Sequence, residues 1–153
     1  MPDFLEITVD KFIFRVATDR LYSSEGLWVL WTLPQGGNRV RIGLTDFLQQ
    51  HSGDIAFVTV KPPGTTLRVG DDLAEIETIK VNLVLPSPVS GTLVAANEAL
   101  EPTPELVNQS PYDQGWLAEV EATDWDAARA ALLDPKAYCA VMQAQVEHEL
   151  KKS

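Results

Sequence analysis

Cysteine occurs once in the 153 residues, at Cys139, and histidine twice, at His51 and His148. A lone cysteine cannot close an intrachain disulfide, which fits a reducing compartment. These three residues are far apart and leave no ligand set at metal spacing. Also missing are a Cys-x-x-Cys pair, a Ser-His-Asp set and a phosphate-cradling glycine loop. The chain is therefore expected to have few catalytic parts of its own. No apolar run reaches the length of a membrane span. The first residues, MPDFLEITVDKFIFRV, lack the basic-then-apolar order of a secretory signal. The expected compartment is the cytoplasm. Basic residues are scarce: 12 Lys and Arg face 22 Asp and Glu, a formal net charge of -10. That excludes a nucleic-acid backbone as the main partner. It favours solubility, and it would steer the chain toward basic docking surfaces.

Apolar residues, at 45%, suffice for one domain with a real core. Short apolar stretches recur between turn signals, the pattern of a β-sandwich or barrel. Residues 4–16 read as a first strand with Phe12, Phe14 and Val16 on one side. Strands follow at 27–32 and 39–43, separated by a turn over 34–38. Thr45 or Asp46 can cap a short helix that Gly53 stops. His51 would be exposed in its last turn. The stretch 54–60 reads as a strand with Ile55 and Phe57 on one face, broken by Pro62-Pro63-Gly64. Further strands are expected at 89–96 and 116–120, with a short helix at Leu106 and Val107 between them. Thr123 with Asp126 predicts a cap for a helix over 127–133, and Asp134-Pro135 starts the last one. Tyr138, Val141, Met142 and Val146 give that helix an apolar face, beside which Cys139 packs.

One lysine stands out. Lys80 lies between two β-prone runs, Leu73 to Ile76 and Val81 to Leu85, so the residues around it should form an exposed turn. Thr78 and Ile79 do not demand positive φ, so turn chemistry alone does not mark this hairpin. Gly70 precedes the lysine by ten residues and Gly91 follows it by eleven, which suggests two similar half-sheets facing one another. A lysine on a rigid turn offers a primary amine for amide formation.

The stretch Glu77-Thr78-Ile79-Lys80-Val81, followed by Ser87-Pro88-Val89-Ser90-Gly91, resembles the lipoyl-lysine region of the glycine cleavage system H-protein family. The likeness continues through 42–47, 53–58, 97–100, 104–108 and 111–117, and covers roughly residues 39–120 closely. It implies a mainly β barrel-sandwich hybrid of the lipoyl-domain kind, with short helices and C-terminal helices. The whole chain, 1–153, is expected to be one lipoyl-carrier domain. Its core is residues 39–120, with an N-terminal extension over 1–38 and a C-terminal helical segment over 123–150. The resemblance assigns covalent lipoate to Lys80, with Glu77, Thr78, Ile79 and Val81 recognised by the attaching enzyme, a lipoate ligase or lipoyl-assembly enzyme. Biotin, attached on the same fold type, is disfavoured because Ile79 and Val81 stand where biotin acceptors have methionine.

The resemblance also bears on the cargo. H proteins carry His-Glu-Trp shortly after a tyrosine, and that patch helps hold an amine-bearing adduct. Here Tyr22 and Trp28 align, but Gly26 and Leu27 stand at the His and Glu positions, and Glu25 is one register off. Leucine cannot pair with a buried cation. This chain is thus also similar to the lipoate-binding proteins of sulfur oxidation, which serve a heterodisulfide-reductase-like complex, and that is the expected pathway. The alternative is a glycine cleavage carrier with glycine cleavage enzymes as partners. A third class is a non-lipoylated adaptor or lipoate-relay protein.

Overall fold

The computed structural model describes residues 3–32 and 37–152. Residues 34–36 of the expected turn lie outside that range. The chain begins with a hairpin, β1 (Phe4–Val9) and β2 (Phe12–Ala17), rather than one strand. Val9 pairs with Phe12, which leaves Asp10 and Lys11 as a two-residue turn. Asp10 takes φ 56°, a conformation short polar side chains tolerate.

The barrel consists of two antiparallel sheets. The larger has six strands: β3 (Leu21–Tyr22), β4 (Leu27–Trp31), β5 (Arg39–Leu44), β7 (Thr66–Leu67), β10 (Gly91–Ala96) and β11 (Ala118–Ala122). Their spatial order is β3-β4-β5-β11-β10-β7, so the last strand in sequence lies inside the sheet. The smaller sheet is β6 (Ile55–Val60), β8 (Asp72–Thr78) and β9 (Asn82–Pro86), ordered β6-β8-β9. The two halves expected to be alike are thus unequal. Val29, Ile42, Leu93 and Val120 from the large sheet meet Ile55, Leu73, Ile76 and Leu85 from the small one in a single core. Gly91 permits the close approach of β10 to β11. A Cβ there would stand 2.1 Å from the Glu121 carbonyl oxygen.

In β6 the expected shared face of Ile55 and Phe57 is broken. The pairing with β8 slips between these residues, so Ile55 is buried while Phe57 is 65% exposed.

Helix α1 (Asp46–Ser52) runs as the caps predict: Thr45 Oγ1 accepts from the Leu48 amide and Gly53 ends it at φ 86°. A single 3₁₀ turn (Glu98–Leu100) and α2 (Leu106–Gln109) follow β10. Helix α3 (Trp125–Ala131) is capped by Asp124, not Thr123: the Asp124 carboxylate accepts from the Ala127 amide. Helix α4 (Pro135–Lys152) starts on Asp134, whose Oδ1 accepts from the Ala137 amide at 2.7 Å. No helix among the described residues is long and apolar enough to cross a membrane.

A second core joins the chain's two ends. Val9, Phe14 and Val16 of the hairpin pack with Phe47 of α1 and with Tyr138, Met142 and Val146 of α4. Burying side chains such as Phe14 or Met142 stabilises by about 2 kcal/mol each. The hairpin and the last helix therefore hold each other against the barrel.

Candidate functional site

The turn between β8 and β9 presents Lys80. The Thr78 amide donates to the Val81 carbonyl at 2.8 Å, which leaves Ile79 and Lys80 as the two loop residues. Neither has positive φ. Thr78 supplies the order that glycine or asparagine supplies elsewhere. Its Oγ1 accepts from the amides of Lys80 and Val81 at 3.2 and 3.0 Å and donates to the Val81 carbonyl at 3.1 Å. Ile79 is 95% exposed, and Lys80 and Val81 are exposed beside it. Glu77 sits one pair below, flanked across the sheet by Phe57 and Asn82. The five residues singled out in the sequence thus form one continuous tip.

The lysine does not stand straight out. Its side chain lies across the end of α1, with Cε 3.4 Å from where a Cβ on Gly53 would be. A glycine there leaves room for it, and a helix C-terminus favours a cation. The backbone at that point is clamped by Asn108. Its Nδ2 donates to the Gly53 carbonyl at 2.9 Å and to Gln49 Oε1 at 3.1 Å, and its Oδ1 accepts from the Ile55 amide at 3.0 Å. Asn108 belongs to the stretch 104–108 noted for its likeness, but only the fold explains the residue.

Beside Lys80 opens a cleft of about 340 Å³, lined among others by Phe12, Phe14, Phe47, His51 and Leu150. Its wall is β2, tied to α1 by polar contacts. The Arg15 amide donates to Asp46 Oδ2 at 2.9 Å, and Gln50 Nε2 donates to the Ile13 carbonyl at 3.1 Å. The Tyr112 hydroxyl donates to the Arg15 carbonyl at 2.7 Å and accepts from the Asp46 amide. His51 is exposed at the rim and stacks on Phe47, with ring centroids 5.6 Å apart. A larger cavity of about 850 Å³ lies on the opposite face of the hairpin, toward Ile13 and Arg15. Lys80 does not line it, so size does not identify the site here. An exposed amine on a fixed turn, with an adjoining cleft of ligand size, fits a covalently attached acyl group.

Gly26 and Leu27 are not part of this cleft. Gly26 sits in the turn before β4 at φ 92°, against Leu48. Leu27 is fully buried in the barrel core. Glu25 is in that same exposed turn, where it accepts from the Ser24 hydroxyl, rather than on the far face of a strand. Leu27 thus packs against the barrel core and does not face the cleft beside Lys80.

Residues 20–145 match the family model described as glycine cleavage H-protein. The chain is similar to the glycine cleavage system H protein of Cronobacter sakazakii, 40% identical over 128 residues, which span 84% of this chain and 96% of that protein. It is also similar to that of Mycolicibacterium smegmatis, 42% identical over 129 residues, 83% and 96% of the two chains. Among solved structures, the glycine cleavage system H protein from Mycobacterium marinum superposes with a TM-score of 0.71 at 30% identity. The alignment covers 80% of this chain and 95% of that one.

Proposed function

The chain belongs to the glycine cleavage H-protein family, whose members carry lipoate covalently on a lysine, and from that premise we propose that Lys80 is the attachment residue and that the protein is the lipoyl carrier of a glycine cleavage system. The observation that carries this reading is the tip itself: Lys80 exposed on a turn whose backbone Thr78 fixes.

Bound lipoate would supply a disulfide–dithiol couple able to hold a one-carbon amine unit and two electrons. The chain's own residues have mechanical tasks. Thr78 holds the backbone so that Lys80 is presented in one geometry to each partner. Ile79 and Val81 offer exposed apolar contacts on both sides of the amine, and Glu77 offers a carboxylate, to the lipoate ligase or lipoyl-assembly enzyme. On the outer face of the small sheet, Phe57 and Val84 are exposed beside Glu75 and Glu77. That apolar surface with acidic neighbours suits basic partner enzymes in an acidic chain that operates in the cytoplasm. The reading of a sulfur carrier for a heterodisulfide-reductase-like complex rested on Gly26 and Leu27 and on the N-terminal extension. With Leu27 in the core, and with relatives that bear the glycine cleavage name, we favour glycine cleavage.

The test has two stages. Protein made in a lipoylation-competent host should gain the lipoyl mass, and Lys80→Arg should lose it with nearly unchanged stability, since an exposed turn side chain contributes little. An unmodified wild-type chain would instead support an adaptor. With its arm in the disulfide form and a glycine decarboxylase present, the lipoylated protein should then release one carbon dioxide from glycine per arm while the arm takes the aminomethyl unit, and an aminomethyltransferase with tetrahydrofolate as one-carbon acceptor should release ammonia and leave the arm as the dithiol. A lipoylated chain that fails where another H protein succeeds would overturn the pathway and leave the carrier.

A further inference from the structure

Most sheet edges in this fold are covered, short or broken. Strand β3 is bridged from Tyr22 to Leu133, and β7 has only two residues. The open edge of β2 is bonded by Asp46 and Gln50, and β1 carries Glu6. Strand β6 is bent by the slip between Ile55 and Phe57, and Pro62-Pro63 follows it. Strand β9 differs from all of these. It is an outermost strand of the small sheet, and Asn82-Leu83-Val84-Leu85 holds no charge. Its pairing with β8 is regular from Glu77–Asn82 to Ala74–Leu85.

The register decides which backbone groups of β9 are free. Thr78 and Val81 are a hydrogen-bonded pair, through the Thr78 amide and the Val81 carbonyl. Bonded and non-bonded pairs alternate along an antiparallel ladder. Ile76–Leu83 and Ala74–Leu85 are therefore the bonded pairs, and Glu77–Asn82 and Glu75–Val84 are not. The amides and carbonyls of Asn82 and Val84 thus point away from β8. Among the described residues no backbone hydrogen bond reaches them.

We propose that this edge of β9 takes an extended, basic segment of the glycine decarboxylase as an added strand, so that the enzyme grips the carrier by its backbone beside Lys80. The proposal rests on the glycine cleavage reading.

Three arguments support it. First, a flat, uncharged edge with unpaired backbone is a template for another strand, whose main-chain bonds give affinity. Second, Asn82 stands two residues past Lys80, so a strand paired there orients the tip without touching the amine. Loading joins the arm to a fragment of glycine held in another protein's site, a step that demands fixed orientation. Third, the charges select the occupant. Glu77 lies opposite Asn82 and Glu75 opposite Val84, on the solvent face of the sheet. An added strand would run two strand spacings from these carboxylates, about 10 Å, which a lysine or arginine side chain spans toward a glutamate. The net charge of -10 opposes a second copy of this chain, which would bring its own Glu75 and Glu77 to the same edge.

The experiment uses full-length lipoylated protein with the arm verified by intact mass. Hydrogen exchange is read at single residues by fragmentation mass spectrometry, with and without glycine decarboxylase. The Asn82 and Val84 amides should exchange fast in the free carrier and about tenfold slower or more with the enzyme at ten times its dissociation constant. The Val58 amide, on the other edge of the sheet, should not change. Glu75→Gln should weaken the protection several-fold and reduce its dependence on salt. A second arm compares Val84→Pro with Val84→Thr. Proline removes an amide that bonds nothing in this chain, which an edge strand tolerates, whereas threonine keeps it. The KM for the carrier in glycine decarboxylation should rise at least threefold more for proline than for threonine.

Unchanged Asn82 and Val84 exchange while carbon dioxide is released would overturn the proposal and leave the glycine cleavage reading standing. So would protection at Val58 instead, or protection that grows with carrier concentration alone, which would mean a second copy. Protection insensitive to salt and to Glu75→Gln would overturn the basic character of the segment. Where Val84→Pro fails to fold by circular dichroism, the exchange of the wild-type amides decides. Absence of carbon dioxide release by lipoylated protein would remove the glycine cleavage reading and this proposal with it.

Discussion

Thr78 is the residue on which the lysine tip depends. Two-residue hairpin loops usually require positive φ and therefore glycine, asparagine or aspartate. Ile79 and Lys80 avoid that requirement because one hydroxyl accepts two amides and donates to a carbonyl. Thr78→Val keeps the shape and removes all three bonds. It should cost about 1 kcal/mol in urea unfolding, since each exposed bond contributes modestly. It should also slow lipoylation several-fold in timed intact-mass assays, because the amine is no longer held in one geometry. Thr78→Ser should restore both. A valine variant lipoylated at the wild-type rate would show that the attaching enzyme reads only the sequence. Little of this was legible beforehand. The hairpin could be placed from the apolar runs that stop on either side of Lys80, but a threonine in a turn has several possible partners, and only the folded register selects the three it has.

At the scale of elements, the connection from α1 into β6 positions the surface on which Lys80 rests. Asn108, from α2, holds Gln49, Gly53 and Ile55 at once. Asn108→Ala should destabilise by about 2 kcal/mol and leave the Ile55 amide less protected. Native-state hydrogen exchange at Ile55 reads that directly, and unchanged protection would mean that the bulge in β6 holds itself. The sequence showed α1 with both caps because Thr45 and Gly53 act on their own neighbours. It did not show the hairpin of β1 and β2: the alternation changes phase at the adjacent polar residues Asp10 and Lys11, but that pair contains no glycine or asparagine to mark a tight turn. Nor did it show that Phe57 turns outward, because one extra residue opposite β8 reverses the face without changing the composition. At the start of α3, Thr123 and Asp124 are both capping types, and the choice between them depends on where β11 ends.

Across the whole molecule, the three tyrosines lie along the seam between the hairpin, α1, the barrel and α4. Tyr22 and Tyr138 stack at 4.6 Å, Tyr138 shares a hydrogen bond with Thr45, and Tyr112 ties β2 to α1. Burial pushes all three hydroxyls up, Tyr138 to about 12. Above pH 10 the unfolded chain releases these protons while the folded one keeps them, so the unfolded state binds fewer. Stability from this source is complete below pH 10 and is lost as pH rises toward 12 and beyond. Melting temperatures should therefore fall only above pH 10, and the tyrosinate absorbance should rise together with unfolding. A tyrosinate signal appearing near pH 10 in the folded protein would contradict the burial of the seam. The sheet order hid this seam from the sequence, because β3 and α4 are more than a hundred residues apart. The same distance has a consequence for the protein as it is being made. The strands and turn that present Lys80 are complete by residue 86, whereas the hairpin over residues 4–17 has its helical partner only once residues 135–152 have left the ribosome. The amine is thus synthesised early and the wall beside it is locked last, so an attaching enzyme working on the growing chain would meet an open tip.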